Sequence, residues 1–255
     1  MTNFSSLYKT YKLDIMPRVA RNYADWSLDE ETYAKHLESR HAEGISNIDV
    51  WNYLEYIAVV AANGITYLGV EASGFVEFQN RGADIGYPEF AEKSMDDVLS
   101  SIVLNFNANA RDDDSFHELI GKDALDESLR SFLLLFPYLY DGRAVEDYEG
   151  KPPAVDLDGL AKDKKYNHLR QRETFGVSEY DVVRFDLYFA GVLSKGFKIL
   201  SEISHGYPGD LTYVYWQALL MSISENFSAY HRGETNCIDP ETIDIFVKRF
   251  RSFWD

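Results

Sequence analysis

NIDVWNYLEYIAVVAANGITYL (47–68) and EYDVVRFDLYFAGVLSKGFKIL (179–200) lie over one another at a constant offset of 132. Seven of their 22 positions are identical: Asp49/Asp181, Val50/Val182, Tyr56/Tyr188, Ala58/Ala190, Val60/Val192, Gly64/Gly196 and Leu68/Leu200. Agreement continues downstream. MDDVLSSIVLNFNA (95–108) overlays WQALLMSISENFSA (216–229) at offset 121, and LRSFLLLFPYLYD (129–141) overlays IDIFVKRFRSFWD (243–255) at offset 114. The tripeptide Gly-Tyr-Pro stands between the first two blocks in both copies, at 86–88 and 206–208. Matching blocks in a preserved order indicate two diverged copies of a three-element unit, roughly 48–141 and 180–255.

Each element reads as a helix. Val182, Phe185, Phe189, Val192, Phe197, Leu200 and Ile203 recur at spacings of 3, 4 or 5, which places them on one buried face. Trp216, Leu220, Ile223, Phe227 and Tyr230 mark the next stripe, and Ile243, Phe246, Val247 and Phe250 the last. Ser178 with Asp181 supplies a helix start, and Asp239-Pro240 supplies another, since proline at a first helical position loses no hydrogen bond. Gly-Tyr-Pro reads as punctuation, with glycine in a left-handed cap, proline forbidding continuation and tyrosine packed under the turn.

The fold class expected is therefore mainly α: an internally duplicated three-helix unit with pseudo-two-fold symmetry, plus an N-terminal helical arm. The arm occupies 1–47, with a helix over 28–43 after Ser27; the first repeat is 48–141 and the second 178–255. Residues 142–177 read as a linker, an acidic Gly/Pro stretch followed by the basic cluster Lys162, Lys164, Lys165, His168, Arg170 and Arg172. Residues 69–85 alternate weakly and read as a short strand or a loop. Three-helix units rarely bury their faces alone, so the copies should share one compact domain.

Composition narrows the function classes. The 255 residues carry 42 acids against 25 Lys and Arg, a formal charge of −17, with 45% hydrophobic residues including 18 Tyr and 16 Phe. That charge disfavours direct nucleic-acid or anionic-membrane binding and favours basic partners. The longest uncharged apolar stretch, Tyr56–Val70, falls short of the roughly 20 residues a membrane span needs. Cys237 is the lone cysteine, which fits a reducing cytoplasm.

Site signals are sparse. Glu38-Ser-Arg-His41 has the Glu-x-x-His spacing of di-metal bundles, but only Asp114-Ser-Phe-His117 imitates a second copy, so Glu38 and His41 are at most a minor metal alternative. Asp181 and Asp186 fall on different faces; Asp181 reads as a first-turn charge complementing the helix dipole. Ser101/Ser222 and Asn105/Asn226 read as buried hydrogen bonds at the contact between copies. No nucleophile elbow, phosphate loop or dinucleotide fingerprint is present, and Cys237 reads as a bystander thiol. No catalytic residue and no cofactor are assigned. The acidic stretch from Asp112 to Asp158, 13 acids against 4 bases, is the distinctive charge feature, and Asp112, Asp113, Asp114, Glu146, Asp147 and Glu149 are its candidate partner-binding residues.

GVSEYDVVRFDLYFAGVLSKGFKIL, the GYP turn, YWQALLMSISENF and the terminal IFVKRFRSFWD resemble an uncharacterised family of bacteriophage and prophage helical proteins over about 175–255. Phe185-Asp186 stands where that pattern has Leu-Asp, and Phe253 replaces the leucine of the closing triplet. The resemblance implies a viral origin and a helical fold, and carries no activity. Together these readings lead to an expectation: a non-enzymatic phage-type interaction protein in the host cytoplasm, whose acidic surface engages a basic or nucleic-acid-binding host protein as inhibitor or nucleic-acid mimic. The alternatives are an α-helical metal-dependent enzyme acting on nucleotides, and a virion or assembly component forming homo-oligomers.

Overall fold

The structure is a computed structural model, described for residues 18–19, 28–69, 95–111, 122–145 and 150–253. The described residues are mainly α-helical and contain no strand. In chain order the helices are α1 (Glu30–Glu43), α2 (Asn47–Trp51), α3 (Tyr53–Leu68), α4 (Met95–Arg111), α5 (Lys122–Leu135), α6 (Lys162–Phe175), α7 (Phe185–Ile203), α8 (Tyr213–His231) and α9 (Pro240–Arg249). A 3-10 turn, Asp181–Arg184, leads into α7; two more, Phe136–Tyr138 and Phe250–Ser252, close α5 and α9. Those two closing turns lie 114 apart in sequence and end on the same bond, Leu139 N–H to Phe136 O at 3.1 Å and Phe253 N–H to Phe250 O at 3.2 Å.

α3 and α7 form the centre. Val59 to Ala62 show at most 1% exposure on every side of α3, so that helix is enclosed all round, as its run of apolar and small residues dictates. α3 packs chiefly on α4, and α7 chiefly on α8. The core that results is continuous across both halves and is held by aromatic rings. Phe132 of α5 meets Phe106 of α4 edge-on at 5.3 Å and Phe189 of α7 at 5.5 Å. Phe197 of α7 meets Tyr53 of α3 at 5.1 Å and Phe253 at 4.7 Å, both edge-on. Edge-on ring pairs add ~0.5–1.5 kcal/mol beyond their buried area.

Two glycines allow the central helices to touch. A Cβ on Gly64 would sit 2.1 Å from Phe185 Cζ, and one on Gly196 would sit 2.3 Å from Tyr53 Cε2. Gly64 and Gly196 are counterparts at offset 132, and so are Tyr53 and Phe185. The contact therefore runs both ways, residue i of one copy on residue j of the other and the reverse. Reciprocity of this kind is what a two-fold relation between the copies requires.

Several sequence expectations are corrected. The basic stretch read as part of a linker is the 14-residue helix α6, which packs against α1. The unit at offset 132 thus begins with α1 and α6, upstream of the boundaries read from sequence. Gly206 does not take a left-handed cap, and Tyr207 is 48% exposed instead of packed beneath the turn; α7 simply ends at Ile203, with Ser204 extended. The left-handed caps are Gly44 and Gly176, φ 74° and 71°, again 132 apart. Gly86-Tyr87-Pro88 and the strand-or-loop reading of 69–85 lie outside the described residues beyond Gly69. No described helix is long and apolar enough to cross a membrane.

Candidate functional site

Where α1 and α6 meet the starts of α2 and the 181–184 turn, four polar residues of each copy interlock. Ser46 is the N-cap of α2: its Oγ accepts from Ile48 N–H at 3.2 Å and Asp49 N–H at 3.3 Å, while Asp49 Oδ2 accepts from Ser46 N–H at 2.9 Å. This capping box satisfies donors that a helix start otherwise leaves bare. With both Oγ lone pairs engaged, the hydroxyl proton turns to His36 Nδ1, 2.5 Å away. Asp49 is also clasped by the guanidinium of Arg40 through Nε and Nη2.

The second copy repeats each bond. Ser178 Oγ accepts from Tyr180 N–H at 3.2 Å and Asp181 N–H at 3.3 Å, and donates to His168 Nδ1 at 2.7 Å. Asp181 Oδ2 accepts from Ser178 N–H at 2.9 Å, and Arg172 holds the same carboxylate at 3.0 Å and 2.6 Å. A tyrosine lies beneath each guanidinium, Tyr56 at 5.4 Å and Tyr188 at 4.8 Å from ring centroid to Cζ. Tyr56 donates to Gly44 O, and Tyr188 donates to Gly176 O at 2.5 Å. Burial raises the Tyr188 phenol well above its ordinary range, so it remains a donor.

The third arm of each arginine crosses between the copies. Arg40 Nη1 donates to Glu173 O at 3.0 Å, and Arg172 Nη1 donates to His41 O. His41 and Glu173 are themselves counterparts, and their side chains meet at 2.7 Å, Nε2 to Oε1. Only residues astride a two-fold axis meet their own counterparts, so this pair marks the axis. His36 and His168 are 4% and 1% exposed, and burial lowers each imidazole to about 4, against the opposing pull of Asp49 or Asp181. Both rings are neutral near pH 7, and with Nδ1 accepting, the ring proton resides on Nε2.

A separate unrepeated centre lies on α7. Asp186 is fully buried; Arg184 Nε and Nη2 reach its two oxygens at 2.8 Å and 2.9 Å, Lys151 Nζ reaches it at 3.2 Å, and Tyr230 O–H donates to it at 3.1 Å. Lys151 thereby fastens the 150–153 segment to α7 and α8. Each buried carboxylate has its own cation, as the cost of burying charge demands.

Beside the axis, between α1 and α6 and under residues 155–158, opens a cleft of about 1040 Å³. Glu38 and His41 both line it, so the sequence spacing does bring them to one face. His41, however, turns to Glu173, and no group of three or more residues suited to holding a metal occurs among the described residues. The other six site candidates, Asp112, Asp113, Asp114, Glu146, Asp147 and Glu149, lie outside the described residues.

Asp181 is a capping-box partner and ion-pair member, more than a dipole complement. Asn105 Nδ2 donates to Ser128 Oγ at 2.6 Å, and Asn226 Oδ1 accepts from Asp239 N–H at 3.2 Å. Both asparagines work within a copy, on the approach to its last helix, and do not bridge the copies. The sequence reading missed His36, Arg40 and Ser46; of their counterparts it placed Ser178 at a helix start, as found, and His168 and Arg172 in a basic cluster, without joining the three. The signal was present: HLESRHAEGIS (36–46) overlays HLRQRETFGVS (168–178) with His, Leu, Arg, Gly and Ser identical.

No family model matches the chain, and no curated protein or solved structure is significantly similar to it. The geometry itself defines the class: a mainly α-helical molecule whose described residues form two interlocked polar centres joined by reciprocal contacts, with a cleft beside them.

Proposed function

We propose that this chain works by binding, as a phage-type interaction protein whose acidic surface engages a basic or nucleic-acid-binding host protein in the cytoplasm. The observation that carries this reading is where the charge resides. Among the described residues the buried ions cancel, Arg40 against Asp49, Arg172 against Asp181 and Arg184 against Asp186, so those buried centres take up none of the chain's formal charge of −17. A net charge so biased speeds encounter with cationic proteins and repels polyanions. The C-terminal resemblance to phage proteins supports a host protein as the partner. A metal-dependent enzyme acting on nucleotides gains no support from the position of His41, which is spent on Glu173.

The test is affinity capture from a bacterial lysate at graded ionic strength, with the captured protein then purified and titrated. A protein of basic isoelectric point, held at ~0.1 M salt and released by ~0.5 M, supports the proposal, because screening shortens to a few Å over that range. Absence of any partner at low salt, or capture indifferent to salt, counts against it.

A further inference from the structure

We infer that the cleft between α1 and α6 is the docking groove for the partner, and that it takes a cationic amphipathic segment of polypeptide; this rests on the binding reading above. Three independent features of the cleft converge on that ligand. Its floor is apolar, with Leu37 and Leu169, counterparts in the two copies, facing Val155 and Leu157, all four partly exposed.

Its rim is acidic. Glu38, Asp156 and Asp158 are exposed there. The basic side chains of the cleft are already committed: Arg172 to Asp181, His41 to Glu173 and Lys165 to Asp158 at 2.8 Å. Glu38 and Asp156 therefore remain as uncompensated negative charge over an apolar floor. Side chains that alternate between Lys or Arg and aliphatic groups complement such a surface.

The third feature is a hydrogen-bond donor. His168 lines the cleft and is 1% exposed. Its Nδ1 accepts from Ser178, so the ring proton resides on Nε2 and the side chain offers the cleft a donor. A peptide carbonyl entering the cleft can accept from it. The cavity of about 1040 Å³ holds a few side chains with their backbone, the scale of a short helical or extended segment.

The probe is a synthetic 12-residue amphipathic leucine–lysine peptide, titrated into the full chain at 50 mM salt by fluorescence anisotropy, with a leucine–glutamate peptide as control. Binding of the lysine peptide alone is expected. The double variant Glu38→Gln/Asp156→Asn should weaken it about tenfold, whereas Glu202→Gln/Glu225→Gln, which removes two exposed acids outside the cleft, should change it less than twofold. Asparagine at 156 retains the oxygen that accepts from Asp158 N–H at 3.0 Å, so the loop is preserved. Leu37→Glu separates groove from field: it adds negative charge yet should also weaken binding, and only loss of apolar contact explains that. The imidazole Nε2–H resonance of His168 should shift on peptide addition.

Equal losses from both acid pairs, or tighter binding by Leu37→Glu, would overturn the groove while leaving the basic-partner reading intact. So would absence of peptide binding by a protein that still shows salt-sensitive capture. Failure of both peptide binding and capture would remove the two together. Each variant is checked for an unchanged thermal midpoint first.

Discussion

His36 and His168 are the residues through which this fold should sense acid. Burial holds both imidazoles at about 4, against an ordinary value of 6.5. Around His36 stand Asp49, Arg40 and His41, and around His168 stand Asp181, Arg172, His41 and Lys165. The folded pKa is depressed, so between 6.5 and 4 the unfolded chain binds two protons that the folded chain refuses. Stability is complete above pH 6.5 and falls as pH drops toward 4, by up to ~1.4 kcal/mol per unit for each ring. Denaturant titrations at pH 7.5, 6 and 5 should show this decline, and His168→Asn should reduce its slope; a flat profile would refute it. Asp181→Asn is expected to cost ~3–5 kcal/mol, because Arg172 is then left buried and unpaired, whereas Asp158→Asn, at the surface, should leave the melting temperature unchanged. The sequence displayed Asp181 as a first-turn acid, since cap chemistry is local. It could not display Arg172 as the partner, because the nine-residue step back passes through Gly176, whose left-handed turn is what folds α6 over the capping box.

At the scale of elements, what was legible followed from apolar periodicity, and what was missed lacked it. α7, α8 and α9 bury aromatic stripes, and those stripes are visible in the letters at helical spacing. α6 buries only His168 and Arg172, both polar, and otherwise presents charge, so no stripe advertises it. A helix of that kind is anchored by specific bonds instead of an apolar face, and composition alone makes it look like a linker. The closeness of α3 and α7 was likewise present in the identity Gly64/Gly196 without being readable as contact, because only the fold sets Phe185 and Tyr53 against those glycines. Alanine at either position forces a ring to move in a packed core, which costs ~1–3 kcal/mol. Gly64→Ala and Gly196→Ala should therefore each lower the melting temperature by several degrees, whereas Gly209→Ala, with nothing within 4 Å, should leave it unchanged or slightly higher. Equal effects at all three positions would mean that α3 and α7 do not approach as described.

The whole molecule behaves as one unit if the copies are as interlocked as their bonds indicate. The charge of −17 was legible from composition, whereas the cleft was not, since a cleft between α1 and α6 exists only once both helices are placed. One apolar core runs through both copies, Arg40 and Arg172 each reach the other copy's backbone, and His41 meets Glu173 on the axis. Neither copy can release its partner without baring part of that core and stranding an arginine, so separate unfolding of the halves is disfavoured. Trp51 and Trp216 report on the first and second copies respectively, one 41% exposed and the other fully buried. Variants retaining only one of these tryptophans should melt with the same midpoint by fluorescence and by helical circular dichroism. Asn105→Ala, which breaks bonds made only within the first copy, should lower the midpoint reported by Trp216 as much as that reported by Trp51. Two separated transitions, or a Trp216 midpoint indifferent to Asn105→Ala, would show that the copies are neighbours and not halves of one cooperative structure.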